Sequence, residues 1–158
     1  MIDPETKLTP HFTLGEMVRS KSHPEVYNVP PLEYIDNMVN VCQWLEVLRK
    51  EYIDLYNDGN DAPITITSGY RSKMLNRVVG GVKDSAHLTG CAVDLKCKDG
   101  EQAFRYAVCL IDIFRKAGKK WDEVIIEKRG IRFWLHFAVF PEGARQQNRC
   151  KVTVVELR

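Results

Sequence analysis

The chain has 158 residues, of which 44% are hydrophobic and 28% are charged, and its formal net charge is +2. This length is enough for one domain with its own hydrophobic core, and we predict a single domain over residues 1–158. The charge is too small to support binding to nucleic acid or to an anionic membrane, so we expect neither partner.

The N-terminal segment, residues 1–31, is rich in proline and polar residues and predicts an irregular lead-in. Thr13 and Glu16 within it form the Thr-x-x-Glu pattern of a helix capping box. The segment lacks the basic start and apolar stretch of a secretory signal, and no later segment reaches the roughly 20 apolar residues of a membrane span. The five cysteines are scattered, with no C-x-x-C pair, and predict free thiols. We therefore expect synthesis in the cytoplasm without a signal peptide.

Three further helices are predicted from apolar residues at three- and four-residue steps and from capping signals. The clearest runs from Leu32 to Tyr56, and the turn sequence "NDGNDAP" ends it. A short helix is expected over Ser72–Val79. A third, over Glu101–Ala117, begins after the capping residue Asp99 and ends at Gly118.

Strand patterns occupy the remaining segments. "ITITS" at Ile64–Ser68 and the apolar run at Ala92–Lys96 predict two strands, and the last third adds "WDEVIIE", "RFWLHFAVF" and "KVTVVEL". A turn at Arg129-Gly130 would join the first two of these last three strands into a hairpin. Helices and strands in this order predict an α+β fold, with a central antiparallel sheet and flanking helices.

The most unusual residue of the sequence is Asp94, a carboxylate inside the apolar strand Cys91–Leu95. A buried carboxylate is retained only where a hydrogen bond, an ion pair or a metal compensates its charge. His87 lies shortly before this strand and His136 lies in a later one, although either histidine alone is more readily explained as a core residue than as a metal ligand. Two imidazoles and a carboxylate are ligands that Zn²⁺ accepts, and three protein ligands leave a fourth position for water. Together these residues predict a catalytic zinc site.

Four segments, "TSGYRSKMLNRVVGG", "SAHLTGCAVDL", "WDEVIIE" and "WLHFAV", resemble the M15 family of zinc peptidases. The signature of this family is S-x-H-x-x-G-x-A-x-D, followed later by a strand histidine with an aromatic residue before it. The fixed positions of the first part are filled by Ser85, His87, Gly90, Ala92 and Asp94. The resemblance implies the Hedgehog/DD-peptidase fold that the D-Ala-D-Ala carboxypeptidases and phage endolysins of the family share.

The resemblance also implies a role for individual residues. His87, Asp94 and His136 would be the ligands of one Zn²⁺ per chain. Arg71 would hold a carboxylate or carbonyl oxygen of the substrate, for which a planar guanidinium is suited. Ser85 would be a second substrate contact.

The general base is less clear from the resemblance. Many relatives carry a glutamate three residues before the last histidine, or a histidine two residues before it, but Phe133 and Trp134 occupy these positions here. The acid must then come from elsewhere, and the preceding strand offers Glu123 and Glu127. Each of them is as readily explained as a glutamate in a surface ion pair.

The expected hairpin bears on this choice. A two-residue turn at Arg129-Gly130 would pair Glu123 with His136 and Glu127 with Arg132, and would place both glutamates on the face of His136. This geometry favours Glu123 as the base, whereas the family resemblance favours Glu127.

The function that the resemblance implies is hydrolysis of a peptide bond in the stem peptides of bacterial peptidoglycan. Either the D-Ala-D-Ala bond or the L-Ala-D-Glu bond could be the one cleaved. A wall enzyme made without an export signal would fit a phage lysis protein that reaches the wall after release, and we expect a monomer. The alternative is a non-catalytic module of the same fold that binds peptidoglycan or zinc.

Overall fold

The computed structural model describes residues 3–158. It contains four α-helices, two 3₁₀ helices and five strands. In chain order these are α1 (Leu14–Val18), a 3₁₀ helix (Leu32–Tyr34), α2 (Ile35–Tyr56), β1 (Ile66–Ser68), α3 (Lys73–Val78), a second 3₁₀ helix (Ala86–Thr89), β2 (Ala92–Cys97), α4 (Gly100–Ala117), β3 (Glu123–Arg129), β4 (Arg132–Ala138) and β5 (Lys151–Glu156).

The helix ends follow from the capping residues seen in the sequence. The Thr13 side chain accepts a hydrogen bond from the backbone of Glu16, whose carboxylate accepts one in return, so the capping box of α1 is present. The Asp99 side chain caps α4 by accepting from the backbone N–H of Gln102, and Gly118 ends that helix with a φ of 64°. No helix within residues 3–158 is long and apolar enough to cross a membrane. The five cysteines are free thiols, as predicted.

The five strands form one sheet in the order β1-β2-β4-β3-β5. The pairs β1–β2, β2–β4 and β3–β4 are antiparallel, whereas β5 lies parallel to β3. β4 ends beside the first residue of β3, and the segment 139–150 then passes around this end of β3, so β5 must run in the direction of β3. The α+β prediction is confirmed, with a mixed sheet in which one of the four strand pairs is parallel.

The core lies between helices α2 and α4 and one face of this sheet. Val124 and Ile126 of β3 and Leu135 and Phe137 of β4 are buried on that face. The alternate residues of the same strands point to the opposite face, away from α2 and α4. The face opposite the core is therefore the one available for a site.

The β3–β4 hairpin differs from the predicted one by one residue at the turn. The loop residues are Gly130 and Ile131, between the paired residues Arg129 and Arg132. Gly130 has a φ of 59° at the first loop position, where a II′ turn requires a positive φ. Consequently the partner of His136 is Ile125, and the predicted pairing of His136 with Glu123 is wrong.

This change of partners leaves the faces of the hairpin unchanged. Moving the register by two residues preserves the alternation of side chains, so Glu123, Glu127, Trp134 and His136 still share one face. The prediction that both glutamates lie on the face of His136 is confirmed. They flank the residue opposite His136, one on each side along β3.

Candidate metal centre

His87 is placed by a short helical turn that follows a capping serine. The Ser85 hydroxyl accepts a hydrogen bond from the backbone N–H of His87, and Gly90 ends the turn with a φ of 72°. Only glycine adopts this left-handed conformation without strain, and it turns the chain directly into β2. His87 itself is 2% exposed.

Asp94 and His136 are brought together by the pairing of β2 with β4. They are direct cross-strand partners, so their side chains stand side by side on the face opposite the core. His87 approaches the same point from the turn before β2. The structure thus brings together all three residues that the sequence predicts as metal ligands.

The three candidate ligand atoms form a small triangle. His87 Nε2 lies 3.3 Å from His136 Nδ1 and 3.3 Å from Asp94 Oδ1, and His136 Nδ1 lies 2.9 Å from Asp94 Oδ1. Zinc bonds of about 2.0–2.1 Å in a tetrahedron require ligand atoms about 3.3 Å apart. The triangle is therefore of the size that a tetrahedral ion needs, and the three residues are in position to hold a metal.

The second nitrogen of each imidazole is held by another group. His87 Nδ1 donates to the carbonyl oxygen of Gly69 at 2.6 Å, which leaves Nε2 free to bind a metal. His136 Nε2 lies 3.3 Å from Glu123 Oε2. Partners of this kind fix the tautomer and the orientation of metal-binding histidines.

Arg71 lies against the candidate ligands. Its Nη2 donates to Asp94 Oδ2 at 2.7 Å and lies 3.1 Å from His87 Nε2, while Nε donates to Ser68 Oγ at 2.9 Å. Its side chain is 14% exposed. Arg71 thus balances the charge of Asp94 and lies at the edge of the candidate metal centre.

The two candidate bases have different surroundings. Glu123 contacts His136, Arg149 and Lys151, and the hydrogen bond to His136 lowers its pKa to about 2. Glu127 has no ion-pair partner among residues 3–158. Burial raises the pKa of Glu127, and the nearby charge of Asp94 raises it further. The pKa values of the two carboxyl groups are therefore shifted in opposite directions.

The candidate ligands also have shifted pKa values. Burial lowers the pKa of His87. Burial also lowers that of His136, but hydrogen bonds to Asp94 and Glu123 outweigh this effect and raise the pKa to about 9. For Asp94, burial raises the pKa, while the charges and hydrogen bonds of the two histidines hold it well below its ordinary value. The carboxylate is therefore ionised, as metal binding requires.

The centre lies in a cleft of about 1100 Å³. Ser85 lines this cleft together with Arg71, Glu123, Glu127 and the three candidate ligands. The sequence did not reveal the contacts of Arg149 and Lys151 with Glu123, since they depend on β5 lying beside β3. A cleft with a metal centre, an arginine and a carboxyl group of raised pKa has the components for metal-assisted hydrolysis.

Comparison with known proteins agrees with the chemistry of this centre. No curated protein matches the chain. The family model described as Peptidase M15 matches residues 10–127, about three quarters of the chain. This match includes Arg71, His87 and Asp94 and ends before His136, which the sheet pairing then adds to the centre. The chain therefore belongs to the peptidase M15 family, a family of metallopeptidases with the Hedgehog/DD-peptidase fold.

Proposed function

We propose that the protein is a zinc-dependent peptidase that hydrolyses a peptide bond in the stem peptides of bacterial peptidoglycan. The observation that carries this proposal is the triangle of His87 Nε2, Asp94 Oδ1 and His136 Nδ1 at the spacing of a tetrahedral ion. Two nitrogen donors and one carboxylate fit Zn²⁺ and leave one position open. When bound, the ion would acidify a water molecule and polarise the scissile carbonyl.

We assign the general base to Glu127. It lies on the face of His136 and lines the cleft, and it is free of ion pairs within residues 3–158. A base that later protonates the leaving amine works best when its pKa is near the working pH, and burial moves the pKa of Glu127 in that direction. Glu127 would accept the proton of the attacking water and pass it to the amine.

We assign Glu123 a different role, that of positioning His136. Its carboxylate already contacts the imidazole and two cationic side chains, Arg149 and Lys151. A carboxylate with a pKa of about 2 is a weak base at neutral pH but a good acceptor for the N–H of a metal-binding histidine.

Arg71 would orient the substrate. Its Nη2 now has two acceptors, Asp94 Oδ2 and His87 Nε2. Once His87 Nε2 binds a cation it no longer accepts this hydrogen bond, so a donor of Arg71 becomes available for an oxygen of the peptide. Ser85, which lines the cleft beside His87, would be a further contact.

The cleft is large enough for several residues of an extended peptide. Both the D-Ala-D-Ala bond and the L-Ala-D-Glu bond have a carboxylate nearby that Arg71 could hold. We propose one zinc ion per chain and a monomeric enzyme. Action on the wall after release at lysis stays a prediction.

Digestion of purified peptidoglycan, followed by mass spectrometry of the products, tests the proposal. We expect new peptide termini with the protein as purified, none after treatment with a chelator, and recovery when zinc is added. Metal analysis should give about one zinc per chain. Zinc binding without any new terminus would instead support the non-catalytic module.

A further inference from the structure

A second pocket adjoins the metal centre on the far side of Arg71. Its volume is about 290 Å³, at the lower end of the range for ligand pockets. One wall is the segment 19–22 that follows α1, and the other is the end of β1 together with Arg71. Arg71 and Val79 line both this pocket and the main cleft, so the two spaces meet at these residues.

The pocket is cationic. Arg19, Lys21 and Arg71 line it, and none of its lining residues is acidic. Within residues 3–158, neither Arg19 nor Lys21 forms an ion pair, and the Nη1 atom of Arg71 has no hydrogen-bond partner. The Ser68 hydroxyl accepts from Arg71 Nε and can add a neutral donor, whereas the Thr67 hydroxyl already donates to the carbonyl oxygen of Asp94 at 3.1 Å. Such a lining favours an anionic ligand.

The two walls are joined by one side chain. Asn28 Nδ2 donates to the carbonyl oxygens of Val18, at 2.7 Å, and of Tyr70, at 2.9 Å, and Asn28 Oδ1 accepts from the backbone of Ser72 at 2.6 Å. The backbone of Tyr70 also donates to Met17 at 2.7 Å. The walls are thus fixed before a ligand arrives, which reduces the loss of conformational entropy on binding.

We propose that Arg19 and Lys21 form a subsite for a free carboxylate of the peptide substrate, next to the oxygen that Arg71 holds. This inference rests on the proposed function, since it takes the ligand to be a stem peptide. Arg71 connects the pocket to the metal centre, because the same side chain lines the pocket and contacts Asp94. A peptide across the metal can therefore reach the pocket with a carboxylate close to the scissile bond. The subsite would select peptides with free carboxylates over amidated ones.

Calorimetric titration with synthetic pentapeptides of stem-peptide sequence tests this proposal. Three peptides are compared: the free acid, the peptide amidated at the D-Glu α-carboxylate and the peptide amidated at its C-terminus. The protein is the full chain with Glu127→Gln to prevent turnover. We expect the free acid to bind about tenfold more tightly than one of the two amides, the usual effect of one charge-assisted contact.

The double variant Arg19→Ala, Lys21→Ala in the same background should lose this preference. The affinity of the double variant for the free acid should fall to about the affinity that the protein with Arg19 and Lys21 intact has for the more weakly bound amide. Lys120→Ala is the matched control, because Lys120 is an exposed cation outside both pockets, and it should keep the preference. Melting curves confirm that each variant is folded.

Two results would overturn the proposal. One is equal binding of the three peptides by the protein with Arg19 and Lys21 intact, and the other is an unchanged preference in the double variant. Binding of a glycerol phosphate polymer that depends on these residues, without any preference among the peptides, would assign the pocket to a wall polymer instead. Because the readout is binding, a chain that failed to hydrolyse peptidoglycan would still give a defined result.

Discussion

Glutamine substitutions at Glu123 and Glu127 should separate metal binding from catalysis. Glu127→Gln removes the proposed base but none of the contacts of His136, so we expect zinc affinity to stay unchanged while kcat falls by about 10²–10⁴. Glu123→Gln keeps an oxygen that can accept from His136 but removes the charge that Arg149 and Lys151 now balance. We expect zinc affinity to fall by about tenfold, or about 1.4 kcal/mol.

The size of the Glu123 effect can be tested further by alanine. Glu123→Ala removes the acceptor 3.3 Å from His136 Nε2 as well as the charge, so zinc affinity should fall towards about a hundredfold. Zinc dissociation constants are measured by competition with a chromophoric chelator, and kcat is measured at saturating zinc. The reasoning is refuted if Glu127→Gln hydrolyses peptidoglycan at the wild-type rate, or if Glu123→Gln loses kcat at saturating zinc and binds zinc normally.

Three other predictions follow from the geometry of the centre. Gly69→Ala should weaken zinc binding, because a Cβ at residue 69 would lie 2.4 Å from the carbonyl oxygen of Met17 and would displace the Gly69 carbonyl that orients His87. Chelator competition measures the zinc affinity, and a wild-type value would contradict this prediction. In chelator-treated protein the pKa of His136 is about 9, so its protonated form stabilises the fold fully below the ordinary pKa of 6.5, and this stabilisation is lost as the pH rises through about 9. The melting temperature should therefore fall between pH 7 and 10, and the fall should be smaller in His136→Gln. Gly90→Ala should destabilise the protein more than Gly118→Ala in urea unfolding, because both have a positive φ but only the Cβ at residue 90 meets a neighbour, at 2.7 Å; equal losses would argue against close packing at this turn.

The grouping of the candidate ligands could be predicted before the fold was known. Asp94 is a carboxylate inside an apolar strand, and this local anomaly requires a partner. His87 lies shortly before the strand of Asp94 and His136 lies within a later strand, and the family signature relates the three residues in their chain order. What the sequence did not supply is the pairing of Asp94 with His136, which depends on β4 lying beside β2.

The hairpin register shows where local patterns become insufficient. A glycine in a two-residue loop can occupy either loop position, and each choice gives a different set of partners. The structure places Gly130 first, which exchanges Glu123 for Ile125 opposite His136. The alternation of side chains is the same in both registers, so the face of each glutamate was predictable although its partner was not.

Contacts between segments distant in the chain were not predictable at all. Arg149 and Lys151 reach Glu123 only because β5 returns parallel to β3. Arg19 and Arg71 line one pocket only because α1 and the segment after it are hydrogen-bonded to the loop after β1. Neither arrangement is indicated by a periodic pattern in the sequence, because both depend on how the fold places segments that are distant in the chain.

The charges around Asp94 explain how the centre can be formed before a metal arrives. Asp94 is 9% exposed, and an uncompensated carboxylate at such a position would destabilise the fold strongly. Arg71 compensates it directly at 2.7 Å, and His136 contacts it at 2.9 Å while Glu123 holds the other side of the imidazole. The chain therefore meets the electrostatic cost of the buried acid with its own side chains. Metal binding would therefore exchange one set of partners for another, and we propose that Arg71, released from His87 in this exchange, then becomes available to the substrate.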